Sequence, residues 1–261
     1  MKFLLSTGIA YKTHTLKELE NLALAEGYDG LELNVPPRHV SAEETNRDKA
    51  YGTVSTIQAI HAPGDVYDRP RFSNALKDTI TLAQQLGTPL INIHPPTLSV
   101  GSRENVIRGI ELIKKMEIEY KGTIAYEVLV NPYGLEPGRH AYFLEQQAYL
   151  SLEDYLADVK GYNLAATLDT AHLGTWNIQP HEFIPALGEH LKHVHLSDYS
   201  SKIQREHLML GEGELDLHLF LKILSKSNPD ITVTVELHPP TTQKEVAEAL
   251  QKSMAYIQQS L

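Results

Sequence analysis

The chain has 261 residues, of which 42% are hydrophobic and 21% charged, enough for two small domains or for one α/β barrel of about 250 residues. Its net charge of -10 offers no global attraction to nucleic acid or to an anionic membrane, so neither is expected as a partner. The absence of cysteine excludes disulfides and thiolate metal sites and fits a reducing compartment.

The opening MKFLLSTGIAYKTH has too short an apolar run for a signal peptide and lacks a small-residue cleavage pattern. No stretch approaches the roughly 18 apolar residues of a membrane span, and the sequence reads as cytoplasmic. Short β-rich runs then alternate with amphipathic stretches. Strands are predicted at 2–6, 30–34, 57–61, 90–94, 123–128, 164–169, 192–196 and 231–236. Helices are predicted at 15–26, 42–51, 72–86, 102–117, 151–160, 180–188, 216–226 and 242–259, the third ending at Gly87 with Pro89 beyond. No linker or low-complexity segment divides them. Eight units of about 32 residues predict an α/β chain folded as a (β/α)8 TIM barrel, a single domain over 1–261.

The strand ends carry the chemistry. TIQAIHAP presents His61, LINIHPP His94, TIAYEV Glu127, LAATLDTAH Asp169 and His172, LKHVHLSD His195, and ITVTVELHPP Glu236, while His207 sits in the predicted loop HLMLGEGE. Side chains at one end of successive parallel strands converge, which predicts a metal site at the C-terminal end of the barrel. If His61, Glu127, Asp169 and Glu236 point inward, the period of two also turns Ala59, Ala125, Thr167 and Thr234 inward. Ile60, Tyr126, Leu168 and Val235 then face the helices.

Glu127, Asp169, His195 and Glu236 make an oxygen-rich set suited to Mn, Mg or Co and tolerable for Zn. Buried together without a cation, their carboxylates would repel. His61 and His94, with Glu127 as a bridge, either hold a second metal, since imidazole favours zinc, or bind substrate and orient the carboxylates. His172 and His207 are read as substrate contacts, ligands of a further metal, or solvated loop residues. His193 reads as packed in a barrel layer and His238 as a partner of the ligands. His14, His39, His140, His181, His190 and His218 read as surface residues. The long stretch NPYGLEPGRHAYF after the fifth strand is a candidate lid or substrate wall. The apolar face of the last helix (Ala247, Leu250, Met254, Ile257) packs either on the barrel or on a second copy in a homo-oligomer.

The residues IHAP, INIHPP, AYE, LDTAH, VHLSD, HLMLGEGELD and VELHPP, in this order from about residue 30 to 240, resemble the xylose isomerase-like TIM-barrel superfamily. It spans the apurinic endonucleases and the sugar and sugar-phosphate isomerases and epimerases. The resemblance implies that Glu127, Asp169, His195 and Glu236 match the metal site of both branches. His61, His94, His172 and His207 match further zinc ligands of the endonuclease branch. That branch has an aspartate two residues before the histidine matched by His207; Arg205 stands there. A guanidinium cannot ligate zinc, and Arg205 suits a hydroxyl, carboxylate or phosphate of a small substrate.

Two activities follow. The first is metal-dependent isomerisation or epimerisation of a sugar or sugar phosphate through a metal-stabilised enediolate, with Glu127 and Glu236 taking and returning the proton. The alternative is zinc-dependent phosphodiester hydrolysis of the apurinic endonuclease type, which would use the additional histidines. Binding of a small molecule without turnover has no feature in its favour. The expected partner is a small carbohydrate.

Overall fold

The computed structural model describes residues 1–10, 12–35, 54–63, 69–95, 103–144 and 148–261. Its strands are β1 (Lys2–Ser6), β2 (Gly30–Asn34), β3 (Ile57–His61), β4 (Leu90–Ile93), β5 (Thr123–Glu127), β6 (Ala165–Asp169), β7 (Leu191–Leu196), β8 (Asp198–Ser200), β9 (Arg205–Leu208) and β10 (Thr232–Val235). β1 to β7 pair in chain order, β10 joins β7, and β10 closes on β1 to give an eight-stranded barrel. Every pairing around the barrel is parallel.

The helices are α1 (Leu16–Ala25), α2 (Arg69–Leu86), α3 (Arg103–Tyr120), α4 (Pro137–Leu144), α5 (Leu152–Gly161), α6 (Thr170–Thr175), α7 (Pro180–Leu187), α8 (Leu217–Ser227) and α9 (Gln243–Ser260). Their starts follow from local chemistry. Thr15 with Glu18, and Thr242 with Glu245, form reciprocal capping boxes on α1 and α9. Ser151 and Asp216 cap α5 and α8 through their side-chain oxygens.

All eight predicted barrel strands are present, and seven predicted helices correspond to α1, α2, α3, α5, α7, α8 and α9. The predicted helix 42–51 lies outside the described residues, as does His39. The antiparallel hairpin β8–β9 and the short helices α4 and α6 were not predicted. Each occupies stretches too short for a helical or alternating pattern to be read. His207 consequently lies in strand β9, at a left-handed φ of 53°, rather than in a loop. The stretch 131–143 holds a 3-10 turn at Pro132–Gly134 and most of α4.

The alternation sorts the barrel residues as expected. Leu4, Ala59, Leu90 and Ala125 form a small apolar cluster of their own, with Ala165 against it. Ile60, Tyr126, Leu168 and Val235 belong to the larger core between strands and helices. Leucines and alanines make this interior layer, and branched or aromatic side chains fill the shell between strands and helices. Above the apolar layer the interior turns polar, through buried Glu32, Asn92, Thr167, His193 and Thr234. The last helix packs on the barrel, with Leu250, Met254 and Ile257 in the main core and Ala247 half-buried. Among the described residues no helix is long and apolar enough to cross a membrane.

Candidate metal centre

The LDTAH motif shows how local geometry begins the site. Asp169 ends β6 and is also the N-cap of α6, its Oδ1 accepting from the His172 N–H at 2.9 Å. One helical turn then brings His172 beside it, Nε2 lying 3.7 Å from Asp169 Oδ2. His172 is fixed further by the Val128 carbonyl, 2.8 Å from Nδ1.

The four residues expected to bind metal converge. His195 Nδ1 lies 2.9 Å from Glu236 Oε2, 3.4 Å from Glu127 Oε1 and 3.8 Å from Asp169 Oδ2. Donor atoms of Glu127, Asp169, His195 and Glu236 all lie within 4.8 Å of one another. Glu127, Asp169 and His195 are at most 1% exposed. Glu127 Oε1, Asp169 Oδ2 and His195 Nδ1 are buried with no hydrogen bond of good geometry. Burying such groups unpaired costs several kcal/mol per ion. The donor set and its orphaned atoms therefore fit a divalent cation, which would meet all of them at once.

The additional histidines join the same centre. His61 Nε2 and His94 Nε2 lie 3.5 and 3.3 Å from Glu127 Oε2, and these three residues form a second group able to hold a metal. Asp169, His172 and His207 form a third. Glu127 and Asp169 thus belong to two groups each. Asn92, fully buried on β4, donates to Glu127 Oε2 and holds that carboxylate from below.

The electrostatics reflect this crowding. Burial would raise the Glu127 carboxyl, yet His195 and His94 hold it well below the usual carboxylate range. Burial also opposes ionisation of Glu236, which His195 nevertheless draws down to about 2. Burial lowers His61, but Glu127 and Glu236 outweigh it and raise the imidazole to about 9. His195 is raised well above its ordinary value against the same opposition, chiefly by Glu236 and then Glu32. Protons on imidazoles and a bound cation are alternative ways to balance these carboxylates.

Arg205, the expected substrate contact, is exposed at the start of β9. The next residue turns inward: Glu206 is fully buried and pairs with Arg139 of α4. Arg139 also donates to His238 Nε2 at 3.2 Å. The segment after β5 is tied across the mouth of the barrel by Tyr199 Oη to the Gly134 carbonyl at 2.6 Å and Glu136 N–H to the Gln204 carbonyl at 3.2 Å. A side chain at Gly134 would meet the Thr175 carbonyl oxygen at 2.4 Å, so this close approach requires glycine.

The sequence reading missed Glu32, Asn92, Glu206 and Arg139. Glu32 carried a signal, because in GLELN it is an acid between two apolar residues, in phase with the inward positions of a predicted strand. His193 is a packed layer residue as expected, with Thr167 and Thr234 hydroxyls 3.3 and 2.9 Å from its two nitrogens.

A family model described as xylose isomerase-like TIM barrel matches residues 20–259. Among curated proteins no sequence matches the chain. The fold is shared with solved structures at low identity. 3-keto-D-glucoside 4-epimerase YcjR from E. coli is 15% identical over 99% of both chains, with a TM-score of 0.72. An AP endonuclease of family 2 from Brucella melitensis is 16% identical over 98% of both chains, with a TM-score of 0.71. The IolI protein with a bound zinc atom is 17% identical over 98% of both, with a TM-score of 0.70. Structures named as epimerases of D-allulose, D-psicose and L-ribulose share the barrel as well.

Proposed function

The chain belongs to the xylose isomerase-like TIM-barrel family, and from that premise we propose that it is a divalent-metal-dependent isomerase or epimerase of a sugar or sugar phosphate. One observation carries the reading. Glu127, at the end of β5, and Glu236, just past the end of β10, approach the same His195 nitrogen at 3.4 and 2.9 Å, and their strands are three steps apart around the ring. Two carboxylates so placed flank a bound sugar from different sides. The sugar epimerases among the solved structures with this fold add support.

Glu127, Asp169, His195 and Glu236 would hold a Mn, Mg, Co or Zn ion. When bound, the ion supplies a Lewis acid beside the sugar carbonyl and its neighbouring hydroxyl, which acidifies the C–H between them. One glutamate takes that proton as general base, and the other returns a proton to the opposite face or the adjacent carbon. Each carboxyl lies below its ordinary range beside the imidazoles, so either can serve as the base, and the one that returns a proton must first take one from a substrate hydroxyl or solvent. Asn92 keeps Glu127 oriented. Buried His172 and half-buried His207 would contact sugar hydroxyls. Arg205, exposed at the rim, meets only the far end of a substrate, such as a terminal hydroxyl or phosphate.

The test is exchange of substrate hydrogen with solvent. Metal-loaded protein in deuterated water, given a panel of ketoses, aldoses and their phosphates, should place deuterium on the carbon next to the carbonyl of at least one member. Absence of exchange with every member overturns the proposal.

A second reading, zinc-dependent phosphodiester hydrolysis, is favoured by a separate observation. The groups His61–His94–Glu127 and Asp169–His172–His207 share carboxylates with the four-donor set, an arrangement that suits two or three zinc ions. Zinc-dependent incision of abasic-site DNA, lost in Glu236→Gln, would reverse the order of the two readings.

A further inference from the structure

The barrel carries a buried acid that the proposed chemistry does not use. Glu32 on β2 is 1% exposed and points across the interior to β7, three strand steps away through β1 and β10. Its Oε1 lies 3.2 Å from His195 Nε2, and its Oε2 lies 3.3 Å from His193 Nε2. We propose that Glu32 is a positioning residue of the metal centre, holding His195 by Nε2 so that Nδ1 is presented to the cation. This rests on the metal centre of the proposed function.

A neutral imidazole carries one N–H, and the nitrogen that binds a metal must be the other one. His195 Nδ1 faces Glu236, Glu127 and Asp169, so the proton belongs on Nε2. That N–H sits in a buried layer, where an unmet donor is costly. Glu32 is the acceptor placed to meet it. A carboxylate in this role fixes both the tautomer and the ring plane, and it makes the opposite nitrogen a stronger ligand.

His193 Nε2 lies 3.3 Å from the second oxygen of Glu32 without a hydrogen bond of good geometry, and the Thr167 and Thr234 hydroxyls of β6 and β10 fix the His193 ring. Glu32, His193 and His195 also lie close enough to hold an ion among themselves. The two threonines already occupy both His193 nitrogens, however, and a cation there would displace the His195 proton from Nε2.

The experiment compares zinc and manganese affinity, by competition with a chelator, in the wild-type protein, Glu32→Gln and His193→Gln. Glu32→Gln is expected to bind each metal about 10–100-fold more weakly while the metal-free variant still melts cooperatively. His193→Gln leaves the Glu32–His195 contact standing, so its loss should be smaller. Independently, 15N NMR of the zinc-loaded wild-type protein should show His195 protonated on Nε2 and metal-shifted at Nδ1, a readout available even where Glu32→Gln fails to fold. Zinc affinity of folded Glu32→Gln within about two-fold of wild type, or a metal-shifted Nε2 on His195, overturns the inference alone. A wild-type protein that binds neither zinc nor manganese overturns the metal centre and the inference with it.

Discussion

Asp169 divides its two oxygens between the fold and the site. Oδ1 caps α6 through the His172 N–H, while Oδ2 stays buried without a hydrogen bond, near the imidazoles of His172 and His195, among atoms that could hold a metal. Asp169→Asn retains an oxygen able to cap but loses the charge that faces the cation. Its metal-free thermal midpoint should stay close to that of the wild type. Chelator competition should show affinity falling by more than the about 10–100-fold typical of losing an outer partner. The division was not read from the sequence, because α6 is too short to show a helical pattern, although a cap and the third helical residue are always neighbours. The role of Glu32 was not legible either, since its partners His193 and His195 are 161 and 163 residues distant in the chain.

The joints between elements rest on a few buried polar contacts. Glu20, near the middle of α1, is 1% exposed and reaches the segment entering β3, accepting from the Ser55 and Thr56 N–H groups at 2.9 and 3.0 Å. The Thr56 hydroxyl donates at 2.8 Å, and the Lys17 ammonium also pairs with it. Burial opposes the charge, but Lys17, Thr56 and Ser55 draw the carboxyl down to about 2 from its ordinary 4.5. Because the folded value is the lower one, ionised Glu20 stabilises the fold above about pH 4.5, and that contribution is lost as pH falls through about 2. Glu20→Gln should be less stable at neutral pH by about 1.5–3 kcal/mol. The gap between the two proteins should narrow on acidification, as read from denaturant unfolding at a series of pH values. A gap that stays constant down to about pH 2 would show that the charge contributes nothing.

The same kind of anchoring shapes the hairpin β8–β9. Asp198, fully buried, accepts from the N–H groups of Tyr199, Gly211, Gly213 and Leu215 at 2.8–3.1 Å. A side chain at Gly213 would meet Asp198 Oδ1 and the Tyr199 carbonyl oxygen at 2.3 Å each. The glycines of HLMLGEGELD let the backbone wrap this carboxylate, and the wrapped loop follows directly on the strand that carries His207. This explains why a segment without strand-like alternation still presents its histidine at the centre.

Taken as a whole, the barrel gathers a cluster of buried carboxylates and imidazoles around Glu127 and His195. The carboxylates there lie against imidazoles, and a cation bound among them would take the place of imidazole protons, so the proposed metal binding would be linked to stability. Free metal at 100 times its dissociation constant should add about 2.7 kcal/mol, or about 5–10 °C in thermal midpoint for a chain of this size. Chelator should reverse the gain. Identical melting curves with and without Mn or Zn would remove the metal centre from consideration.

Eight barrel strands, inward Ala59, Ala125, Thr167 and Thr234, and the convergence of the candidate ligands at the strand ends were all readable from the chain. Each follows from a local period or a short motif, and parallel strands impose the convergence. The tertiary structure decided which atoms meet across the barrel: Glu32 with His195, Asn92 with Glu127, and Glu206 rather than Arg205 turned inward. These contacts depend on the barrel's closure, on its interior width and on the one-residue irregularity between β8 and β9. None of these is encoded in the spacing of neighbouring residues.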